Sequence, residues 1–448
     1  LARSGRATQP LITACLRSSP RPGNPTQSGR RGVARTEGWG HHLIGMTAMP
    51  QDRRHDIDAL RALAFGVLIL YHVGMFYVPW DWHLKSDYSA SWLEPVMLFS
   101  NQWRMPLIFL ISGLAVHFLL PKMTGAGFAW SRIKRLGLPL LFGMAVIVPP
   151  QAYLESVSNG GFEGSYGAFL LRYLQLQPWP ESEFRGADIG ITWNHLWYLP
   201  YLLFYTLLLI PAAGLLDRLS QRCARLHGLW LVLVPLLPLM LIGEFVYPRF
   251  PYISHSLFDD VYAHAMYGSF FVYGYLIGRS PLLWRTLARG RWVWSGLGAV
   301  SFASFLVGIE VLDAAQPAES MAQMFLIYLN RWVWILVVLA WSHQLLNRPM
   351  RWLGWANESV YPWYILHQSF TVVIGYHAAK YALGPVIEPL VVLGGTVAGS
   401  WALTEAIRRV GWARPLFGLK ARRRPQRRTR DALHPGPNEQ AIQSGLPD

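Results

Sequence analysis

The sequence is short of cysteine and of charged residues. It has 2 cysteines, Cys15 and Cys223, among 448 residues, which excludes a disulfide framework and a cysteine-based zinc site. Charged residues make up 15% of the chain, well below the roughly 25% typical of a globular protein. A soluble fold of this length needs more charge to cover its surface. Together with 52% hydrophobic and 14% aromatic residues, this composition indicates a membrane protein.

Several motifs of common enzyme classes are also missing. The chain contains no H-E-x-x-H zinc motif, no phosphate-binding P-loop, no G-x-G-x-x-G turn and no G-x-S-x-G elbow. Metal chemistry, nucleotide hydrolysis and an elbow-type serine nucleophile therefore have no support in the sequence.

A series of apolar blocks begins at residue 57. Blocks of about 20 residues are each long enough to cross a hydrocarbon core as a helix. The longest gap between blocks, residues 157–193, contains Trp179, and we expect an interfacial loop there with an amphipathic segment near 166–177. The sequence thus predicts an all-α polytopic membrane protein with about ten transmembrane helices, at residues 57–80, 104–121, 136–156, 194–216, 229–247, 262–279, 292–312, 325–346, 359–378 and 386–408.

Lysine and arginine are divided unevenly between the two sides of these spans. The tails and the even-numbered connections hold most of the 40 basic residues, and the odd-numbered connections hold Lys85, Arg172, Arg185, Arg249 and Lys380. Because basic segments stay in the cytoplasm, both termini are predicted to be cytoplasmic. The net charge of +15 is then mainly topological and does not indicate nucleic-acid binding.

Basic tails flank the membrane domain, which we assign to residues 55–410. Residues 1–54 are rich in Arg, Pro, Gly and Ser and are expected to be disordered, with the natural start at Met46 or Met49. Residues 411–448 are expected to form a disordered cytoplasmic tail whose basic run contacts anionic membrane lipid.

The first span contains ionisable residues, which are rare inside a membrane and usually functional. Arg61 and His72 are eleven residues apart, so they lie within about 20° of one helix face and about 16 Å apart along the axis. Arg61 would lie near the cytoplasmic surface, with Asp58 placed to pair with it. His72 would lie beyond the membrane centre, where an imidazole can act as a general base. The alternative is that Arg61 and Asp58 are interfacial anchors and that His72 is a hydrogen-bonded histidine of the bundle.

Arg132, Lys134 and Arg135 precede the third span at its cytoplasmic end. Guanidinium groups suit phosphate, so these residues are a candidate site for a phosphorylated cytoplasmic donor, although simple positive-inside charge would look the same. Ser112, beside Gly113 in the second span, is better explained by close helix packing than by a nucleophile.

Two aromatic stretches contain further histidines. Residues 194–198 open the fourth span with His195 and Trp197, and residues 361–368 run through the ninth with Tyr364 and His367. Aromatic rings beside polar groups can bind a sugar, but aromatic belts at a membrane interface have the same composition.

Taken together, these motifs resemble those of the integral-membrane acyltransferase 3 family. The resemblance rests on the Arg61-x10-His72 pair, on FLISG at residues 109–113 and on the Arg132-x-x-Arg135 pair. Residues 195–199 and 361–368 resemble the glucans biosynthesis protein C branch of that family. The resemblance covers residues 55–410.

This resemblance implies an acyltransferase of the bacterial inner membrane. It would take an acyl group from cytoplasmic acyl-CoA, as a co-substrate with no tightly bound cofactor, and transfer it to a hydroxyl of an extracytoplasmic carbohydrate such as a periplasmic glucan. His72 would be the catalytic histidine, and Arg61, Arg132 and Arg135 would belong to the donor side. The residues themselves offer Glu155 and Glu310 as candidates for an acid that orients His72.

The acyl group stays open between succinyl and acetyl. The free carboxylate of a succinyl group would need a cation, for which the sequence offers Arg104, Arg331 and Lys85. His255 and Asp260 match an H-x4-D spacing found in some soluble acyltransferases, but one such match is expected by chance among 14 histidines, and the topology places it in an outer loop.

Two other classes remain open. A transporter or flippase for a glycan or lipid would need charged groups along a pore and often inverted repeats, and the sequence shows neither. A lipid-donor glycosyltransferase would need paired acids in an early outer loop, where Asp81 and Asp87 are not adjacent.

Overall fold

Each of the predicted apolar blocks falls on a helix. The computed structural model describes residues 54–180, 183–278, 280–313 and 316–421, and their regular structure is entirely helical, which confirms the all-α prediction. The helices, in chain order, are α1 His55–Met75, α2 Glu94–Leu119, α3 Gly125–Arg132, α4 Leu138–Phe142, α5 Pro149–Ser158, α6 Tyr166–Tyr173, α7 Tyr198–Cys223, α8 Trp230–Phe245, α9 Val261–Ile277, α10 Pro281–Arg289, α11 Arg291–Val311, α12 Pro317–Leu346, α13 Leu353–Lys380 and α14 Gly384–Arg409.

Seven helical runs in the described part of the chain are long and apolar enough to cross a membrane. The remaining predicted spans fall on α8, α9 and α13. The helices α8 and α9 have 16 and 17 residues, fewer than the roughly 20 that a span needs. The helix α13 has 28 residues but carries polar residues 367–369 near its middle. The total of ten and the cytoplasmic location of both termini stay predictions. The seven runs are His55–Met75, Ser91–Lys122, Gly125–Ser158, Asn194–Cys223, Arg291–Val311, Ala318–Leu346 and Gly384–Arg409.

The third span is not a regular α-helix. Two π-helical turns, Ile133–Gly137 and Gly143–Ile147, interrupt it. Pro139 and Pro149 follow these turns and lack the N–H that would complete an α-helical hydrogen bond, which explains why the pattern changes there. Such turns are frequent at functional sites, and the first one carries Arg135.

Glycines bring α2 and α9 into direct backbone contact. A methyl group on Gly113 would collide with the Phe271 carbonyl, and one on Gly274 would collide with the Leu110 carbonyl. This close crossing supports the packing explanation for the small residues of the second span. Beside it, α1 packs against α2, α12 and α13.

The connection between the third and fourth spans has a small apolar core of its own. The helix α6 lies where an amphipathic segment was predicted and buries Phe169 and Tyr173. These two rings pack with Trp179 and Phe184 in one cluster. The connection is therefore a folded element that can form one wall of a site.

Residues 411–421 correct the prediction of a disordered tail from residue 411. A turn at Arg414–Phe417 follows α14, and Phe417 is buried with its ring 5.2 Å from that of Phe142. Arg414 donates to Glu358 at 2.6 Å. The tail prediction failed here because an apolar anchor and an ion pair follow the last span. The other residues of the two predicted tails, 1–53 and 422–448, lie outside the described part of the chain.

Candidate active site

A cavity of about 860 Å³ lies between α1, α2, α9 and α13. The connections that precede α7 and α9 form its rim, and the topology predicted from the basic residues would put both on the outer side of the membrane. A volume of this order suits a small-molecule site. Its polar and aromatic lining includes Tyr71, His72, Arg104, Asn194, His195, Trp197, His255, Tyr364 and Gln368.

Two histidines from different helices meet at this cavity. Nδ1 of His72 lies 2.9 Å from Nε2 of His367, and Nδ1 of His367 lies 2.7 Å from the carbonyl oxygen of Tyr364. A carbonyl oxygen only accepts hydrogen bonds, so Nδ1 of His367 carries the hydrogen and its Nε2 holds a lone pair in the neutral ring. His72 then donates from Nδ1. Its Nε2 keeps a lone pair and has no hydrogen-bond partner among the described residues.

A network of amides supports the wall beside these histidines. Gln368 donates to the side-chain oxygens of Gln151, at 3.1 Å, and of Asn194, at 3.0 Å. Nε2 of Gln151 lies 3.4 Å from Nδ1 of His195, and Nε2 of His195 donates to the Ile365 carbonyl at 3.0 Å. These bonds fix both nitrogens of His195, so this ring is a connecting element of the wall.

The rim of the cavity is aromatic and partly strained. The rings of Trp197 and His255 stack with centroids 4.2 Å apart, and Trp193 donates to the His255 carbonyl at 2.9 Å. Asn194 and His255 have φ angles of 45° and 57°, in the left-handed region that non-glycine residues rarely adopt. Strain of this kind is concentrated at functional sites.

Glu155 pairs with His83 and not with His72. Its Oε2 lies 2.6 Å from Nδ1 of His83, and its Oε1 accepts from the backbone of Arg185. Glu310 is exposed on α11. The expectation that one of these acids orients His72 was therefore wrong, and the neutral ring of His367 occupies that position.

Arg104 is a buried cation in the same cavity. Its guanidinium carbon lies 3.3 Å from the centre of the Tyr71 ring, and its Nε and Nη1 atoms are buried without a hydrogen-bond partner among the described residues. A buried charge without full compensation is costly. Such a side chain is a candidate for binding an anion.

A second polar cluster lies at the opposite end of α1. Arg61 donates to Asp58 at 3.1 Å and to Asn357 on α13 at 2.8 Å. The Tyr361 side chain lies close enough to Arg61, Arg132 and Arg135 to interact with their positive charges. The predicted basic residues therefore come together from the first span, the third span and α13.

Comparison with known proteins identifies the class of chemistry. The model of a family described as "Acyltransferase domain" matches residues 54–405. The chain belongs to this acyltransferase family. It is 22% identical over 348 residues to glucans biosynthesis protein C of Escherichia coli K12, covering 74% of this chain and 85% of that protein. The corresponding protein of Escherichia coli O139:H28 is 21% identical over the same length. No solved structure gives a significant match. The family resemblance drawn from the motifs is confirmed.

The predicted residues of this acyltransferase fall into two groups. The cavity is lined by His72, His195, Trp197 and Tyr364, and His367 lies behind His72. The other group is the cluster at the far end of α1, formed by Asp58, Arg61, Arg132 and Arg135. The predicted residues therefore lie near the two ends of α1.

Two sequence features of the acyltransferase have structural explanations. Ser112 lies 2.5 Å from the Tyr198 hydroxyl and donates to the Ile108 carbonyl, which supports its assignment to packing. Asp260, of the H-x4-D match, accepts from the backbone N–H of His255 and from Tyr201 at 2.7 Å. That match is therefore a loop-stabilising contact.

Sequence reasoning missed the role of the amides in the cavity wall. Gln151 and Gln368 are both almost completely buried. Each is a polar residue inside a predicted span, and that was the available signal. The two residues are bonded to each other but lie 217 positions apart along the chain, so no local spacing could connect them.

Proposed function

We propose that this membrane protein is an O-acyltransferase of the bacterial inner membrane. It moves a succinyl or acetyl group from cytoplasmic acyl-CoA to a hydroxyl of an extracytoplasmic carbohydrate such as a periplasmic glucan, with His72 as general base. The observation that carries the proposal is the state of His72, which is held through Nδ1 by His367 and is unpaired at Nε2 in a cavity.

In the proposed reaction, Nε2 of His72 takes the proton of the acceptor hydroxyl as its oxygen attacks the thioester carbonyl carbon. The tetrahedral intermediate then expels the thiolate, and the protonated His72 returns the proton to that sulfur. The C–S bond breaks and the new C–O bond forms, so the acyl group is transferred without a change in oxidation state. While His72 is protonated, its Nδ1–H remains bonded to His367, which keeps the ring in place.

The basic cluster around Arg61, Arg132 and Arg135 supports acyl-CoA as the donor. Guanidinium groups bind phosphate through paired hydrogen bonds, and the CoA nucleotide carries several phosphates. Arg61 and His72 are separated by about 16 Å along α1, a distance that the extended pantetheine arm of CoA can bridge. The thioester would therefore reach the cavity while the nucleotide stays at the opposite end.

The rim of the cavity supports a carbohydrate acceptor. Trp193 and Trp197 offer apolar ring surface beside hydrogen-bonding groups, a combination suited to sugar rings. The relatives from Escherichia coli are named for glucan biosynthesis, which points to the same class of acceptor. Mass spectrometry of envelope glycans would identify the natural one.

The direct test is acyl transfer by the full chain in membranes, with wild type compared with His72→Ala. We expect transfer of labelled acyl groups from acyl-CoA to glucan by the wild type, and a loss of about 10²–10⁴-fold in the variant. His227→Ala, which removes an exposed histidine outside the cavity, is the matched control and should retain activity.

Each other outcome has a defined meaning. Equal transfer by wild type and His72→Ala at matched membrane levels would remove His72 from the mechanism. No consumption of acyl-CoA by the wild type with any glucan would contradict the O-acyltransferase proposal and favour the alternative, a transporter or flippase for a glycan or lipid intermediate.

A further inference from the structure

Arg104 differs in burial and in hydrogen bonding from the other basic residues on the predicted outer half of the protein. It is 5% exposed, and its Nε and Nη1 atoms have no hydrogen-bond partner among the described residues. The aromatic face of Tyr71 covers one side of the guanidinium. The Nε and Nη1 N–H groups, which belong to the kind of donor that binds carboxylates, are therefore available for a ligand.

The other cations of this region are already engaged. Lys85 donates to the carbonyl oxygens of Met75, Val78 and Trp80. Arg331 donates to the Gln102 carbonyl at 3.0 Å and is not part of the cavity lining. Of the three cations that the sequence offered for a free carboxylate, the structure thus leaves Arg104.

Arg185 also lines the cavity, but its charge is compensated. It forms an ion pair with Asp81 at 2.6 Å, and its side chain is half exposed. The carboxylates in the lining, Asp188 and Asp259, are exposed residues of the rim connections. An anion that enters the cavity therefore meets Arg104 as its buried cationic partner.

The geometry points to Arg104 as the binding site for the free carboxylate of a short dicarboxylic acyl group during transfer. This inference rests on the proposed function and narrows its donor to a thioester of a dicarboxylic acid. An acetyl group would leave the buried guanidinium without an anion, whereas a dicarboxylic group would supply one.

Distances within the cavity agree with a short acyl chain. The guanidinium carbon lies 3.3 Å from the Tyr71 ring centre, which lies 6.1 Å from the His72 ring centre, so Arg104 and His72 are at most 9.4 Å apart. Both side chains therefore lie close enough to contact the two ends of one reacting complex, with the acceptor hydroxyl at His72 and the far end of a short acyl group at Arg104.

A cation near the reacting carbon could instead stabilise the oxyanion of the tetrahedral intermediate. The cavity has a separate donor for that purpose, because Nδ2 of Asn194 is buried without a hydrogen-bond partner among the described residues. A neutral amide suits an oxyanion of any donor. The two roles for Arg104 differ in one measurable respect, since an oxyanion role affects all donors equally and a carboxylate role affects dicarboxylic donors selectively.

The test compares succinyl-CoA with acetyl-CoA as donors for the full chain in detergent, using glucan as acceptor. We expect wild type to prefer succinyl-CoA, and Arg104→Gln to lower kcat/KM for succinyl-CoA about 100-fold more than for acetyl-CoA. Arg104→Lys should keep part of the preference. Arg185→Gln is the control for general charge in the cavity, and its donor ratio should stay at the wild-type value.

The outcomes separate this inference from the proposed function. Equal losses for both donors in Arg104→Gln would overturn the carboxylate role, as would a wild type that prefers acetyl-CoA. In either case acyl transfer itself would still support the proposed function. A wild type that transfers neither group would instead contradict the proposed function. Residual acetyl transfer by Arg104→Gln shows in the same assay that the variant is folded.

Discussion

Replacing His367 with alanine should slow acyl transfer about 10- to 100-fold. The side chain is completely buried and accepts a hydrogen bond from Nδ1 of His72 at 2.9 Å. When His72 becomes protonated in the reaction, that bond is made to a charged group and is worth about 1.5–3 kcal/mol. Each 1.4 kcal/mol corresponds to a factor of ten in rate. The loss should stay below that of His72→Ala, which removes the proposed base itself.

A glutamine at position 367 provides the sharper comparison. Its side-chain oxygen can lie close to the position of Nε2 of His367 and can accept from His72, but it cannot titrate. Partial recovery of the rate in His367→Gln relative to His367→Ala would therefore indicate that the acceptor, and not the imidazole itself, is what His72 requires. His377→Ala, an exposed histidine on the same helix, is the matched control.

The assay is the release of CoA thiol during transfer to glucan, with kcat and KM determined separately for each variant. Removing a buried ring also leaves a cavity that destabilises the fold. Thermal unfolding of each purified variant therefore accompanies the kinetics. A wild-type kcat in His367→Ala would refute the assigned tautomer, and so would a folded His367→Gln that is no faster than His367→Ala.

Two further predictions concern the donor end and the rim. Arg61→Ala should raise KM for acyl-CoA more than it lowers kcat, because Arg61 lies in the basic cluster and not in the cavity; donor titrations would show an unchanged KM if this is incorrect. Burial lowers the pKa of His255 from 6.5 to about 4, against the opposing effect of Asp260. The unfolded chain then binds more protons between these values, so stability falls as the pH is lowered, by at most about 2 kcal/mol at pH 5. His255→Asn, which tolerates the positive φ, should lose less Tm between pH 7 and pH 5 than wild type does, and equal losses would contradict the assignment.

The helical architecture could be predicted because an apolar segment in a membrane can adopt few backbone conformations. A run of about 20 apolar residues must satisfy its own backbone hydrogen bonds, and a helix does this locally. The prediction of membrane-spanning helices was weakest for the helix that carries polar candidate site residues. The helix α13 carries His367 and Gln368 in its middle, so its composition is less apolar than that of its neighbours although it packs against α1.

The site could be predicted only as far as local geometry extends. Helical periodicity correctly placed Arg61 beside Asp58, and the three arginines are near one another around Tyr361. The partner of His72 was beyond this reasoning, because His367 is 295 positions away and is a histidine where an acid was expected. Arg104 was one of three equivalent cations in the sequence, and only the hydrogen bonds of Lys85 and Arg331 separate it from them.

The spacing of Arg61 and His72 on α1 matches the spacing of their partners on a second helix, α13. Arg61 bonds to Asn357 and His72 bonds to His367, so α1 and α13 are joined at two points that are eleven residues apart on one helix and ten on the other. Both intervals amount to about 15–16 Å of helix, which requires the two helices to run in the same direction. One residue inserted between Arg61 and His72 would turn His72 by about 100° and break one of the two contacts. The spacing therefore holds His72 at a fixed distance from the basic cluster. In the proposed mechanism, that distance lets a donor anchored by its phosphates present its thioester to His72.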